Sequence, residues 1–284
     1  MTTDNQQTDG EMNGFEMHGI ERLSPSQVNK AREGFDAWFV EKILGFRFPS
    51  GVAAHRGTAT EAGVSAGLFD DKTDDEAVEA ALEVYDNLTK LEPYDAAQVM
   101  KERGNIEVMV RDALGELRPL GKPARPPEGM QQHMVELQCR FASGEKGTIK
   151  YIGYLDFVFP EHNLIVDLKT TSRLPSSFSS SHAIQAAFYK QASGGKRVRF
   201  LYVSPKKTMP RFTWLEMDDP TPHLQIIKMV TARMEGFLRL SPDKDTLAKA
   251  VVPNLDSFYW TNADHIAEAV FGVTRIPKAE ATES

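Results

Sequence analysis

One aspartate and one lysine, Asp167 and Lys169, flank a single residue inside the apolar run Leu164 to Lys169. Side chains two apart on a strand project from the same face, so this spacing puts a carboxylate and an ammonium on one surface while Leu168 points the other way. Upstream, residues from about Thr148 to Phe159 read as another strand, and Pro160-Glu161-His162-Asn163 reads as the short loop of a hairpin that returns the chain beside it. Asp156 then lies next to the Asp167/Lys169 pair. Two carboxylates and a lysine brought together are what phosphodiester hydrolysis with a hard cation requires. Oxygens hold Mg2+ or Mn2+, the ion polarises the phosphate and acidifies a water, and the lysine orients that water or steadies the developing charge. An Asp-x-Lys pair alone is more often a solvated strand face; Asp156 before it, and Gln185 and Tyr189 after it, give it weight.

The elements that must position these groups follow from periodicity. After a polar stretch over residues 1–20, Ser24-Pro25 caps a helix on which Val28, Ala31, Phe35, Trp38 and Ile43 recur until Gly45. Helical patterns follow from Gly57 to Gly67 and from Asp74 to Leu91, the second striped by Ala77, Ala81, Val84 and Leu88. Pro119, Pro123, Pro126 and Pro127 with Gly121 and Gly129 stop helices, and the main break is expected there. Beyond it the period becomes two, with Val135, Leu137, Cys139 and Phe141 on one strand face. Helix is expected over Ser181 to Ala192, strand over Arg197 to Val203 and Phe212 to Met217, and helix from Thr221-Pro222 and near Asn262 to Phe271. The expected organisation is a disordered tail (1–20), a single domain over 21–276 and a flexible tail (277–284). Within the domain come a helical part (21–118), a catalytic sheet core (130–217) and C-terminal helices (221–276).

Composition narrows the field. With 284 residues, 41% hydrophobic and 26% charged, the chain can bury a real core. A formal charge of -7 argues against a protein that coats nucleic acid through many phosphate contacts, although a local basic groove is compatible with it. The single cysteine, Cys139, can form no internal disulfide and cannot supply the thiolates of an iron-sulfur cluster, so the expected compartment is reducing and cytoplasmic. The sequence shows neither a membrane-spanning run nor the apolar core of a signal peptide.

Gly153-Tyr154-Leu155-Asp156, the hairpin and Ile165-Val166-Asp167-Leu168-Lys169-Thr170 together resemble the signature of the PD-(D/E)XK nucleases. Gln185-Ala186-Ala187-Phe188-Tyr189 resembles the Q-x-x-x-Y element of their RecB-like branch, and Leu23-Ser24-Pro25-Ser26 resembles its entry segment. The resemblance implies an α/β fold with a restriction-endonuclease-like central mixed sheet, flanking helices and a helical N-terminal part. It implies catalytic roles for Asp156, Asp167, Lys169, Gln185 and Tyr189, and a metal held by Asp156, Asp167, the Leu168 carbonyl and Glu61. Glu61 stands where the pattern has a histidine, with His55 as the other candidate and Glu136 as an assisting residue. Gln185 and Tyr189 would position the scissile strand. Mg2+ is the implied cofactor, with Mn2+ able to substitute, and the absent cysteines place the chain in a cluster-free, phage-type exonuclease branch. Arg56, Thr170, Lys190, Lys196 and Arg197 are the expected DNA contacts, the last three within a basic cluster that continues through Arg199, Lys206, Lys207 and Arg211. The implied partner is DNA, together with a single-strand-annealing protein or a separate helicase, in recombination, repair or phage replication. A structure-specific endonuclease, or a catalytically silent nucleic-acid-binding module of the same fold, is the alternative.

Overall fold

The computed structural model describes residues 12–90, 93–142, 144 and 147–275. The chain opens with α1 (Gly14–Met17), β1 (Arg22–Leu23), α2 (Pro25–Glu33) and α3 (Phe35–Lys42). Four helices follow: α4 (Val52–Phe69), α5 (Asp74–Thr89), α6 (Ala96–Gly104) and α7 (Ile106–Leu117). Then come β2 (His133–Arg140), β3 (Thr148–Leu155), β4 (Phe157–Phe159), β5 (Leu164–Thr170), α8 (Ser180–Ala192), β6 (Arg197–Val203) and β7 (Phe212–Glu216). The chain closes with α9 (Thr221–Leu238), α10 (Lys244–Ala248) and α11 (Asp264–Phe271). One sheet has the order β1-β3-β2 and the other β4-β5-β6-β7, so the fold is mixed α/β.

Contacts divide the chain into two units. Described residues within Met1–Phe48, Gln138–Tyr151 and Gln225–Ser284 form the first, and those within Pro49–Leu137 and Ile152–Leu224 form the second. The division does not follow the expected linear subdivision, because the N-terminal helices group with the C-terminal ones. The proline-rich connection is likewise no boundary. Ala124 N–H donates to the Val158 carbonyl at 2.7 Å, which ties that segment to β4 inside the second unit.

In the first unit, β1 pairs in parallel with β3, Leu23 opposite Tyr151. Phe15 is buried and meets Phe141 edge to face at 5.4 Å. Asn13 caps α1 in a reciprocal box with Glu16. Ordered chain therefore begins before residue 21, while residues 1–11, the tail over 277–284 and the helix end expected at Leu91 lie outside the described residues. The helix expected to run unbroken to Gly45 is two helices, because Gly34 at φ -151°, ψ 77° leaves the helical region between them. Buried Asp36 accepts hydrogen bonds from Trp260 Nε1–H at 2.6 Å and from Asn254 N–H at 2.7 Å, which satisfies its carboxylate without a cation.

The second unit holds Asp156, Asp167 and Lys169. β5 pairs antiparallel with β4, Phe157 opposite Val166, and in parallel with β6, Asp167 opposite Phe200. β7 then closes the edge against β6 in antiparallel register. The predicted hairpin loop is present, with Asn163 in the left-handed region at φ 47°. Leu164, Val166 and Leu168 face a core with α4, α5 and α7, including Ala59, Val64, Ala81, Val110 and Leu114. A Cβ on Gly63 would stand 2.6 Å from the Ala77 carbonyl oxygen and 2.8 Å from the Ala81 Cβ, so only glycine lets α4 and α5 approach this closely.

Candidate active site

The run expected as one strand from Thr148 to Phe159 breaks at Asp156, with β3 ending at Leu155 and β4 starting at Phe157 in the other sheet. Outside the ladder, the Asp156 side chain turns toward β5, and its Oδ2 accepts the Leu168 N–H at 2.9 Å. Asp167, only 1% exposed, lies on the face of β5 opposite the Leu164/Val166/Leu168 core. Its Oδ1 accepts from Gln185 Nε2 at 3.1 Å. Asp167 Oδ2 is 2.6 Å from Lys169 Nζ in a close ion pair. The Lys169 ammonium also stands 5.2 Å from the Phe200 ring centroid.

Glu61 joins from α4. Gln132, which the sequence did not single out, spans both carboxylates: its Nε2 donates to Glu61 Oε1 at 2.8 Å and to Asp156 Oδ1 at 3.0 Å. An amide donor between two distant acidic residues has no sequence signature, because its partners come together only in the fold. Among the described residues no three His, Cys, Asp or Glu side chains are already closed to metal-holding distance. Gln132 Nε2 and Lys169 Nζ stand among the carboxylates instead. A cation taking those oxygens must displace the amide, so Gln132→Ala is expected to bind Mn2+ roughly 10- to 150-fold more tightly in calorimetric titration, the scale of a hydrogen bond to a charged group. Unchanged or weaker affinity would show that Gln132 does not oppose the cation.

The electrostatics are those of crowded negative charge. Burial first, then Asp167 and Glu61, push the Asp156 carboxyl well above the carboxylate range. Burial and Asp167 raise Glu61, and burial raises Asp167 against the opposing pull of Lys169. Burial works against the Lys169 ammonium, but Asp167, Asp156 and Glu61 together outweigh it and hold its pKa above the ordinary value. Lys169 is thus fully charged at neutral pH. His182, on α8, is pushed down to about 4 by burial and then by Lys169; its Nδ1 lies 2.8 Å from the Tyr202 hydroxyl.

Gln185 and Tyr189, expected to position a scissile strand, engage protein groups in this structure. Gln185 Nε2 donates to the Tyr189 hydroxyl at 2.8 Å as well as to Asp167, and the Tyr189 hydroxyl donates to the Tyr154 carbonyl at 2.6 Å. Their spacing of four, which sets both on one face of α8, serves to brace Asp167 and the strand leading to Asp156. A Cβ on Gly153 would stand 2.6 Å from Phe188 Cε1 and 2.9 Å from Tyr189 Cε1. Gly153→Ala is therefore expected to lower stability by about 1–3 kcal/mol through overpacking, read as a lower urea midpoint. An unchanged midpoint would mean that α8 yields freely.

The other expected residues are placed elsewhere. His55 Nε2 lies 2.7 Å from the Tyr94 hydroxyl. Glu136 is exposed on β2. Arg56 is buried in an ion pair with Glu102, and its Nη2 reaches Thr170 Oγ1 at 3.4 Å, so both hold the end of β5 in place. Lys190 Nζ donates to the Met217 and Asp218 carbonyls at 2.7 and 2.9 Å. Arg197 makes a two-pronged pair with Glu216, and Lys196 reaches Asn163 Oδ1 at 3.3 Å. Arg197 pairs with Leu164 at the start of β5, about 17 Å along the strand from Lys169 at the strand rise of ~3.3 Å per residue. Lys206 and Lys207, exposed just beyond β6, stand at the Lys169 end of the sheet, since Tyr202 is level with Lys169. A cleft of about 740 Å³ opens beside the carboxylates, lined among others by Thr58, Glu61, Ser65, Arg125, Gln132 and Asp156.

No curated protein matches the chain. Among solved structures, one titled "Crystal structure of SSO0001" is 10% identical with a TM-score of 0.35, covering 88% of this chain and 96% of the other. Rai1 of Scheffersomyces stipitis, in complex with (3'-NADP)+ and calcium ion, is 11% identical with a TM-score of 0.28, covering 84% of this chain and 75% of that one. Likeness at these scores bears on nothing further. The family description "PD-(D/E)XK nuclease superfamily" fits residues 22–275, well over half of the chain and a span that contains Asp156, Asp167 and Lys169. The chain belongs to the PD-(D/E)XK nuclease superfamily.

Proposed function

We propose that the protein is a divalent-cation-dependent deoxyribonuclease that hydrolyses phosphodiester bonds at the Asp156, Asp167 and Lys169 site, as a RecB-like exonuclease of recombination, repair or phage replication. The observation that carries this reading is the convergence of Asp156, Asp167 and Glu61 on Lys169 through the Leu168, Gln132 and Gln185 hydrogen bonds and the Asp167–Lys169 ion pair.

The donor set fits Mg2+ or Mn2+, because it consists of oxygens and its carboxylates repel one another. Asp167 Oδ2, met at 2.6 Å by the Lys169 ammonium, is an oxygen that already faces positive charge and could share a cation with it. Asp156, Asp167, Glu61 and the Leu168 carbonyl would hold the ion. When bound, it supplies Lewis acidity to the scissile phosphate and to a water. Gln185 holds Asp167, and the Leu168 N–H holds Asp156, so the carboxylates stay oriented as charge builds. Lys169, kept protonated by its neighbours, orients the attacking water and offsets negative charge on the phosphate oxygens. Lys206 and Lys207 are placed to meet the backbone of the strand.

The exonuclease reading is tested with end-labelled linear DNA beside covalently closed circles in Mg2+. Loss of the linear substrate alone is the expected result. Cleavage of closed circles at a comparable rate would make the enzyme an endonuclease.

A further inference from the structure

Hydrolysis as described makes no use of the surface next to Asp156. Tyr154, Met130 and Met134 are 46%, 49% and 37% exposed, and with Gln131 and Gln132 they line a cleft of about 400 Å³. None of these five side chains carries a charge, so the cleft lacks the cationic groups that draw in a phosphate. A tyrosine ring and two polarisable thioethers suit the face of a planar heterocycle, and two amides suit its edge. The cleft is continuous with the carboxylates: Gln132 lines it and donates to both Glu61 and Asp156. Tyr154, two residues before Asp156, is anchored through its carbonyl by the Tyr189 hydroxyl, in the network that also holds Asp167.

Resting on the nuclease reading, we propose that Tyr154, Met130 and Met134 form a platform for an unpaired nucleobase beside the scissile phosphate, so that the substrate is single-stranded where it is cut. A base inside a duplex is stacked on both faces and must be extruded to reach such a platform, whereas an unpaired one stacks on it directly. The single strand is thereby selected by its free base rather than by its phosphates.

The test is fluorescence anisotropy with a labelled single strand of about twelve nucleotides and a blunt duplex, with Ca2+ in place of Mg2+. Wild type is expected to bind the single strand more tightly. Tyr154→Ala is expected to weaken that binding roughly 5- to 100-fold and leave the duplex unchanged, while Tyr154→Phe keeps the wild-type value. Met130→Ala, in the same cleft, should cause a smaller selective loss and covers the case in which Tyr154→Ala fails to fold. Equal binding of both substrates by wild type, or single-strand binding unaffected by Tyr154→Ala and Met130→Ala, overturns the platform. Cleavage in Mn2+, measured in parallel, separates the two claims. Cleavage with no effect of these variants sinks the platform alone, and selective binding with no cleavage sinks the nuclease reading alone.

Discussion

Lys169→Ala is expected to lower the rate of DNA hydrolysis by about 10³-fold or more while Mn2+ still binds, because the variant keeps every carboxylate and loses the one ammonium among them. The magnitude follows from its setting. Burial would favour a neutral amine, yet Asp167, Asp156 and Glu61 hold the group charged, so its charge acts where water screens it little. Lys169→Arg should recover little, since a planar guanidinium cannot take the place of a compact ammonium 2.6 Å from Asp167 Oδ2 and over the Phe200 ring. Single-turnover rates with Mn2+ affinities from calorimetry check this. A Lys169→Ala enzyme within tenfold of wild type would remove the lysine from the chemistry.

Asp156→Asn is expected to be inactive and more stable than wild type in EDTA, with a melting temperature higher by about 2–8 °C, the shift that about 1–2 kcal/mol produces in a chain of this size. A carboxyl whose folded pKa is raised above its unfolded value binds its proton more tightly in the folded state. Its stabilising contribution is present at low pH and is lost as pH rises from the unfolded value of 3.8 through the raised folded value. Wild-type stability in EDTA should therefore fall more steeply with rising pH than that of Asp156→Asn. His182, whose depressed pKa of about 4 makes it lose stability in the other direction as pH falls below 6.5, contributes equally to both proteins and cancels. Mn2+ should raise the wild-type melting temperature at pH 8 and barely move the variant. Thermal melts from pH 5 to pH 8, with and without Mn2+, read all of this; a variant less stable than wild type at every pH would mean that Asp156 is a structural carboxylate held by Leu168.

How far the sequence reached depended on whether the deciding interactions were local. The apolar run of β5 and the turn residues before it located the strand with Asp167 and Lys169 and the hairpin, because strand runs and tight turns are local properties. The i, i+4 spacing put Gln185 and Tyr189 on one face, but what that face meets is a tertiary matter, and it meets Asp167 and the Tyr154 carbonyl. Basic residues were the least legible. Arg56, Lys190 and Arg197 were expected as DNA contacts on charge and position alone, yet each is engaged by Glu102, by backbone carbonyls or by Glu216. Gln132 was invisible for the same reason: it lies in a loop, and both its partners are far away in sequence, Glu61 before it and Asp156 after it. The break between β3 and β4 at Asp156, which frees that side chain from the ladder, was also missed, because a single aspartate within a largely apolar run from Thr148 to Phe159 is compatible with one continuous strand.

The measurement that bears most directly on the central claim is the cleavage of end-labelled DNA by the purified protein in Mg2+, Mn2+ or EDTA, beside Asp167→Asn. Shortening of the label in either cation, absent in EDTA and absent in the variant, is the predicted result. Equal cleavage in EDTA, or intact DNA in both cations with a folded wild-type protein, would contradict a cation-dependent hydrolytic site at Asp156, Asp167 and Lys169.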